Sequence, residues 1–187
     1  MSSGADDLYV FMADTGVRPG EAYALRWSDL DLDAQSAKVE RAVSDGELQQ
    51  TTKTGGTRTV DLTERATERL RVRLADARQA AEAEDEDFDE EALIFATAHG
   101  NILDHANVVR RFRALLGKAG LPTFQLYDLR HSHASHALTA PAPITYVARQ
   151  LGHAKPTMPL QTYAHWVPTD DGRRFVRALE LHRAGRA

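Results

Sequence analysis

Two stretches decide the fold and the chemistry of this 187-residue chain: LYDLRHSHASH (Leu126–His136) and LGHAKPTMPLQTYAHW (Leu151–Trp166). They combine an arginine, several histidines and a tyrosine, which are side chains that can hold a phosphate group and attack it with a phenol. Upstream, TGVRPGEAYALRW (Thr15–Trp27) adds a second arginine, and TTKTGGTRTVDL (Thr51–Leu62) adds a lysine. Together the four stretches offer the groups needed for phosphoryl transfer on an anionic polymer.

The charge of the chain is distributed unevenly. The formal net charge is −4, from 27 acidic and 23 basic side chains. The run EAEDEDFDEE (82–91) holds eight of the acids and no base, so that 19 acids and 23 bases remain elsewhere, a balance of +4. We therefore predict an acidic surface loop at 82–91, or alternatively a mimic of DNA, and a remainder that can present a positive face to a polyanion.

The sequence excludes several classes of site and location. It contains no cysteine, which rules out disulfides, thiolate zinc sites and a cysteine nucleophile. No apolar run approaches the roughly 20 residues that span a bilayer. The N-terminal MSSGADD lacks the basic and apolar parts of a signal peptide. These observations predict a cytoplasmic protein with no membrane partner.

Hydrophobic periodicity predicts one domain over residues 1–187, of the α+β class and mainly helical, with a small antiparallel sheet. The strand pattern covers 37–43, 47–52 and 57–62, with a glycine turn at Gly55-Gly56 that joins the last two. Helices are predicted over 6–15, 19–27, 64–81, 105–117, 127–138, 144–151, 156–165 and 171–183.

Arg18 and Arg130 are the candidate phosphate clamp. A guanidinium suits this role because its forked donors bind two oxygens at once, although either arginine taken alone is equally consistent with a surface ion pair. Lys53, beside the predicted glycine turn, is a candidate proton donor to a leaving oxygen. A solvated hairpin lysine is the alternative for that position.

His131, His133 and His136 do not predict a metal site. Positions two apart on a helix point in nearly opposite directions, and no carboxylate or further histidine near His133 and His136 has a matching spacing. His131 is therefore predicted to lie against the core or to support another residue.

His153 and Tyr163 are the remaining candidates for the reacting site. Gly152 permits a sharp turn that aims the imidazole of His153 at a bound oxygen. The Tyr163 phenol has an ordinary pKa near 10. Two arginines and a lysine nearby would favour its phenolate, while a structural hydrogen bond is the alternative role.

Taken together and in order, the four stretches resemble the catalytic domain of the tyrosine recombinases, the phage integrase family, from about Leu8 to Ala178. The resemblance implies the catalytic core of DNA breaking-and-rejoining enzymes. Tyr127 stands where the family usually has histidine or lysine, and is implied to be a phosphate contact. The implied catalytic residues are Arg18, Lys53, Arg130, His153 and Tyr163, with Glu21 and His131 as supporting residues.

The same resemblance implies a site-specific recombinase of a mobile element that cuts and rejoins DNA through a 3′-phosphotyrosyl intermediate. It implies no metal ion, no ATP and no other cofactor. The expected partners are double-stranded DNA and, on DNA, a homotetramer, whereas the isolated domain is expected to be monomeric. The N-terminal DNA-binding domain of the family is expected to be absent. The alternatives are a degenerate recombinase that binds DNA without cutting it and a metal-dependent phosphodiesterase built on the histidines.

Overall fold

The chain is built from helices around two small antiparallel sheets. The computed structural model describes residues 4–52, 56–140 and 142–153. The α-helices in these ranges are α1 (Gly4–Thr15), α2 (Pro19–Tyr23), α3 (Glu64–Ala83), α4 (His105–Lys118), α5 (Asp128–Thr139) and α6 (Ile144–Leu151). The strands are β1 (Leu30–Asp31), β2 (Ser36–Val39), β3 (Ala42–Ser44), β4 (Glu47–Gln49) and β5 (Arg58–Asp61), and a 3₁₀ turn covers Trp27–Asp29. The helices predicted over 156–165 and 171–183 lie outside the described residues.

Helix starts follow local capping signals. The Thr63 hydroxyl accepts a hydrogen bond from the backbone N–H of Ala66 (3.1 Å) and begins α3. The Asp104 carboxylate accepts one from the N–H of Asn107 (2.8 Å) and begins α4. A side-chain oxygen at this position satisfies a backbone donor that the helix leaves without a partner, which is why both starts were predictable.

Helix α2 ends earlier than predicted. It stops at Tyr23, because the following chain pairs with a distant segment instead of continuing the helix. The N–H of Trp27 donates to the Ala92 carbonyl (3.3 Å), and the N–H of Ile94 donates to the Leu25 carbonyl (2.9 Å). This contact between segments far apart in sequence overrides the local helical pattern.

The strand pairing corrects the predicted hairpin. Strand β5 pairs with β2 in the sheet β1-β2-β5, and β4 pairs with β3 in a separate hairpin. Within the described ranges, no pairing joins the strands on either side of Gly55-Gly56, so that prediction was wrong. The cause is Asp45-Gly46, whose φ values are 53° and 80°. Two successive positive φ values are typical of the tight turn that best matches strand twist, and it closes β3 on β4.

The main core lies between α1 to α4 and the three-stranded sheet, and a smaller cluster joins α5 to α6 through Ala134, Val147 and Leu151. The largest of the fully buried side chains is not apolar: it is Arg130, which is 1% exposed. A buried guanidinium needs several hydrogen-bond acceptors. A group of polar atoms that accepts hydrogen bonds from Arg130 must therefore lie within the core.

Residues 82–91 begin inside α3 and continue across the surface. Their acidic side chains are exposed, whereas Phe88 is half-buried. The Phe88 ring lies 6.0 Å from the Trp27 ring, and the Arg78 guanidinium lies 5.4 Å from the Phe88 ring. One aromatic side chain thus anchors the acidic segment. Nowhere in the described part of the chain is a helix both long enough and apolar enough to cross a bilayer.

Candidate active site

Arg130 joins the end of α1 to the end of α6. Its Nη1 donates to the Gly16 carbonyl (2.6 Å), and its Nη2 donates to the Leu151 carbonyl (2.7 Å). It lies in the first turn of α5. Because hydrogen bonds from a charged group are short and strong, these contacts fix the guanidinium relative to two other helices.

Arg18 is fixed by Glu21. It caps the start of α2 in an extended conformation, and Pro19 then occupies the first helical position. The Arg18 backbone N–H donates to Glu21 Oε2 (2.9 Å), and Arg18 Nη1 donates to Glu21 Oε1 (3.0 Å). The Arg18 side chain is 20% exposed and the Glu21 side chain is 1% exposed. The buried Glu21 carboxylate thus holds Arg18 in place, and the arginine side chain stays partly exposed to solvent.

Glu21 also binds Arg58, which is not among the predicted site residues. Arg58 Nη1 and Nη2 contact Glu21 Oε1 (3.0 Å) and Oε2 (2.7 Å). Burial raises the pKa of Glu21, but the hydrogen bonds and charge of Arg58, followed by those of Arg18, outweigh burial and hold the pKa below its usual value. The carboxyl therefore stays ionised between two guanidinium groups.

A sequence signal for Arg58 did exist. Side chains two apart on a strand share a face, and Val60 on the same strand is fully buried. The alternation of β5 therefore places Arg58 on the core side. A charge on a buried face requires an opposite charge, which points to an acid such as Glu21.

His153 faces the arginines. Helix α6 ends at Gly152, whose φ of 65° provides the predicted sharp turn, and the His153 N–H donates to the Ala148 carbonyl (2.9 Å). Its Nδ1 is buried and finds no hydrogen-bond partner among the described residues. Burial, together with the charges of Arg130, Arg18 and Arg58, lowers the pKa of His153 to about 4. The hydrogen bond of Arg130 to the Leu151 carbonyl and the position of the Arg58 guanidinium against Gly152 place two of these charges beside the turn that carries His153.

The structure thus brings Arg18, Glu21, Arg130 and His153 together, whereas Lys53 and Tyr163 lie outside the described residues. Tyr127 precedes α5 and is 39% exposed. Its ring stands edge-on to the half-buried ring of His131, with 5.0 Å between centroids. Tyr127 is therefore a surface residue whose ring contacts that of His131.

The other two histidines of α5, His133 and His136, differ in burial. His133 is half-buried and its Nδ1 lies 3.2 Å from the Ala13 carbonyl, whereas His136 is exposed. Burial lowers the pKa of His133. Across the described ranges, no three His, Asp or Glu side chains are grouped so that they could hold a metal ion.

Gly20 provides a test of how the β3–β4 hairpin is seated on α2. A Cβ added there would lie 2.3 Å from the Val43 carbonyl oxygen. We expect Gly20→Ala to lower the free energy of unfolding by about 1–3 kcal/mol, because backbone must move to admit a methyl group. The matched control is Gly117→Ala, where α4 has open space. That change should stabilise the protein by about 0.4–1 kcal/mol, since alanine restricts the unfolded chain. Equal effects of the two variants in urea unfolding would contradict this packing.

His133 and His153 should make the free energy of unfolding depend on pH. The folded pKa of His153, about 4, lies below the ordinary 6.5, so the unfolded chain binds more protons across that interval. The free energy of unfolding should therefore fall as pH drops from 6.5 towards 4, and His133 should act in the same direction. Urea midpoints from pH 7 to pH 5 measure the slope. His153→Gln should make it shallower, and an unchanged slope in that variant would contradict the burial of His153 among the arginines.

Comparison with known proteins decides the family. The model of the phage integrase family matches residues 6–169. The chain belongs to the phage integrase family. Among relatives of this chain, the tyrosine recombinase XerC-like of Caldanaerobacter subterraneus subsp. tengcongensis is 25% identical over 177 residues, covering 86% of the chain and 45% of the relative. IntQ of Escherichia coli strain K12, which is named as a defective protein, is 28% identical over 189 residues, covering 92% and 48%. The chain thus spans less than half the length of these curated relatives.

Solved structures confirm the predicted fold. The integrase of transposon Tn1549, solved in complex with circular intermediate DNA, superposes with a TM-score of 0.70 at 22% identity. The match covers 92% of the present integrase chain and 59% of that chain. The α+β, mainly helical core of the tyrosine recombinases is therefore the fold of this protein.

Proposed function

We propose that this integrase chain is the catalytic domain of a site-specific DNA recombinase that cuts and rejoins strands through a 3′-phosphotyrosyl intermediate. The observation that carries the proposal is that, in a member of the phage integrase family, Arg130 donates both to the Gly16 carbonyl, two residues before Arg18, and to the Leu151 carbonyl, two residues before His153. Donors that are already fixed in place stabilise charge as it develops on the non-bridging oxygens of a phosphodiester.

The reaction assigns one role to each group. Tyr163 attacks phosphorus in line as its phenolate, after its phenol proton has passed to solvent, so that a Tyr–O–P bond forms as the bond from phosphorus to the 5′ oxygen breaks. Lys53 donates a proton to the departing 5′ oxygen. Arg18 and Arg130 neutralise the pentavalent phosphate. His153, neutral at pH 7 because its pKa is about 4, donates a ring N–H to an oxygen.

The covalent intermediate makes an energy source unnecessary in this scheme. The phosphotyrosyl ester retains the free energy of the broken linkage, and a 5′ hydroxyl of another strand reverses the step and completes strand exchange. The proposed reaction therefore uses neither ATP nor a metal ion. Exchange between two duplexes is proposed to take place in a homotetramer on DNA, assembled from units that are monomeric without DNA.

Double-stranded DNA is the proposed partner. The Tn1549 integrase was solved with DNA, and the positive site of this chain suits the same kind of polyanion. Because phosphate contacts release condensed counterions, we expect the affinity for DNA to fall steeply with salt concentration.

The second candidate function depends on Tyr127. It is a phosphate contact without positive charge, so it lacks a charge-assisted bond worth roughly 1.5–3 kcal/mol. This departure, together with the relative IntQ, whose name describes a putative defective protein, favours as the second candidate a domain that binds DNA without cutting it.

The experiment that tests both candidates uses nicked DNA duplexes whose sequence is randomised around the nick, so that no target sequence needs to be known. Loss of the short nicked fragment traps the cleaved state. DNA that stays attached to the protein in detergent is then sequenced, and the modified peptide is identified by mass spectrometry.

An adduct at Tyr163 that forms in EDTA supports the recombinase. DNA binding without an adduct supports the second candidate. Hydrolysed DNA without an adduct, lost on addition of EDTA, would instead indicate a metal-dependent phosphodiesterase.

A further inference from the structure

Arg58 is a basic residue of the site that has no role in the proposed strand-transfer reaction. Its side chain is 8% exposed, and it contacts both oxygens of Glu21. Its Nε also donates to the Gln150 carbonyl (3.2 Å). The Gln150 side chain in turn bonds the backbone N–H and carbonyl of Asp61, at 2.9 and 2.8 Å. Strand β5 is thereby bonded to the C-terminal end of α6 at three points.

The guanidinium of Arg58 lies directly beneath the turn that carries His153. A Cβ added at Gly152 would lie 2.7 Å from Arg58 Cζ, so the guanidinium would have to shift to admit any larger residue. The same guanidinium therefore touches the support of Arg18 on one side and the backbone before His153 on the other. It links the two halves of the anion site.

The net charge of the cluster formed by Arg18, Glu21 and Arg58 depends on Arg58. Arg18, Glu21 and Arg58 together carry a formal charge of +1, because Glu21 stays ionised between the two arginines. Arg58 takes both carboxylate oxygens, whereas the Arg18 side chain contacts one of them through one nitrogen. Without Arg58, the negative charge of Glu21 would neutralise the positive charge of Arg18. The cluster would then have no net charge to offer an anion.

We propose that Arg58 is a positioning residue of the anion site, whose binding to both oxygens of Glu21 leaves the charge of Arg18 available to a phosphate. The proposal rests on the proposed function, because it assumes that Arg18 binds a phosphate group. It makes Arg58 necessary for anion binding although Arg58 itself does not touch the anion.

Inorganic phosphate is the probe, titrated into the isotopically labelled protein at pH 7 while the ring signals of His153 are followed by NMR. The His153→Asn variant assigns those signals. Arg58→Gln should raise the dissociation constant for phosphate about tenfold, since one charge-assisted contact of Arg18 is lost. The double variant Glu21→Gln/Arg58→Gln restores the net charge of +1. It should bind phosphate within about threefold of the wild type, because the charge of Arg18 is again unopposed.

A purely structural role for Arg58 would give a different result, since removing a second buried charge would not restore phosphate binding. A double variant that binds as weakly as Arg58→Gln therefore overturns the proposal, as does an Arg58→Gln variant that binds like the wild type. If Arg58→Gln does not fold, Arg58→Lys decides together with the double variant. The double variant keeps the net charge of +1 and should bind phosphate within about threefold of the wild type, whereas Arg58→Lys keeps the charge but cannot hold both oxygens of Glu21 and should bind more weakly than the double variant.

The matched control is Arg41→Gln. Arg41 also contacts both oxygens of a carboxylate, those of Asp29 at 2.6 and 2.7 Å, and its side chain is 11% exposed. This change removes a comparable ion pair that involves neither Arg18 nor Glu21, and should leave phosphate affinity unchanged. A wild type whose His153 signals do not respond to phosphate would refute the phosphate site of the proposed function itself, which is distinguishable from failure of the role of Arg58 alone.

Discussion

Tyr163→Phe is expected to abolish the covalent protein–DNA adduct while leaving the affinity for DNA nearly unchanged. Phenylalanine keeps the ring but lacks the hydroxyl that forms the phosphoester, so the rate of adduct formation should fall by at least about 10⁴-fold. Non-covalent affinity depends mainly on phosphate contacts elsewhere and should change less than about twofold. Denaturing gels measure the adduct, and filter binding at one fixed salt concentration measures the affinity.

Tyr146→Phe is the control for this experiment. Tyr146 is half-buried on α6, and burial together with Asp61 raises the pKa of its phenol, so it is a poor nucleophile. The Tyr146→Phe variant should form the adduct at the wild-type rate. An adduct that survives Tyr163→Phe and disappears with Tyr146→Phe would move the nucleophile to α6 and refute the assignment of Tyr163.

Lys53→Met is expected to slow cleavage of ordinary DNA by about 10²–10⁴-fold, which is the usual contribution of a general acid. Methionine has a similar length and cannot give a proton to the departing 5′ oxygen. A substrate with sulfur in place of that bridging oxygen should restore the rate, because a thiol has a pKa near 8.5 and leaves without protonation. Single-turnover rates on the two substrates make the comparison.

Lys38→Met is the control for the lysine prediction. Lys38 lies on β2, is 54% exposed and pairs with Glu40 at 2.5 Å. Since a surface ion pair contributes little, its removal should not alter the rate on either substrate. If Lys53→Met is equally slow on the oxygen and sulfur substrates, Lys53 acts on the phosphate rather than on the leaving group.

Local signals in the sequence placed much of this site. Pro19 fixes the start of α2 and so positions Arg18 at its cap, and Gly152 allows the turn that aims His153. The caps at Thr63 and Asp104 fixed the starts of two further helices. Each of these features depends on residues within one helical turn, and is therefore visible in the sequence alone.

Features that depend on distant residues were less predictable. Arg58 and Glu21 are 37 positions apart, and only the packing of β5 against α2 and α6 makes them partners. The end of α2 likewise depends on pairing of the chain after it with the segment around Ile94. The hairpin at Asp45-Gly46 differs from these, because an Asp-Gly turn is a local signal that the prediction at Gly55-Gly56 overlooked.

The hydrogen bonds of Arg130 have a consequence for biosynthesis. One of its acceptors, Gly16, is 114 positions earlier in the chain, and the other, Leu151, is 21 positions later. A nascent polypeptide cannot lock this guanidinium in place until Leu151 has left the ribosome, long after α1 has been made. Translation products that end before Leu151 thus lack one of the two carbonyl acceptors that hold the Arg130 guanidinium in place.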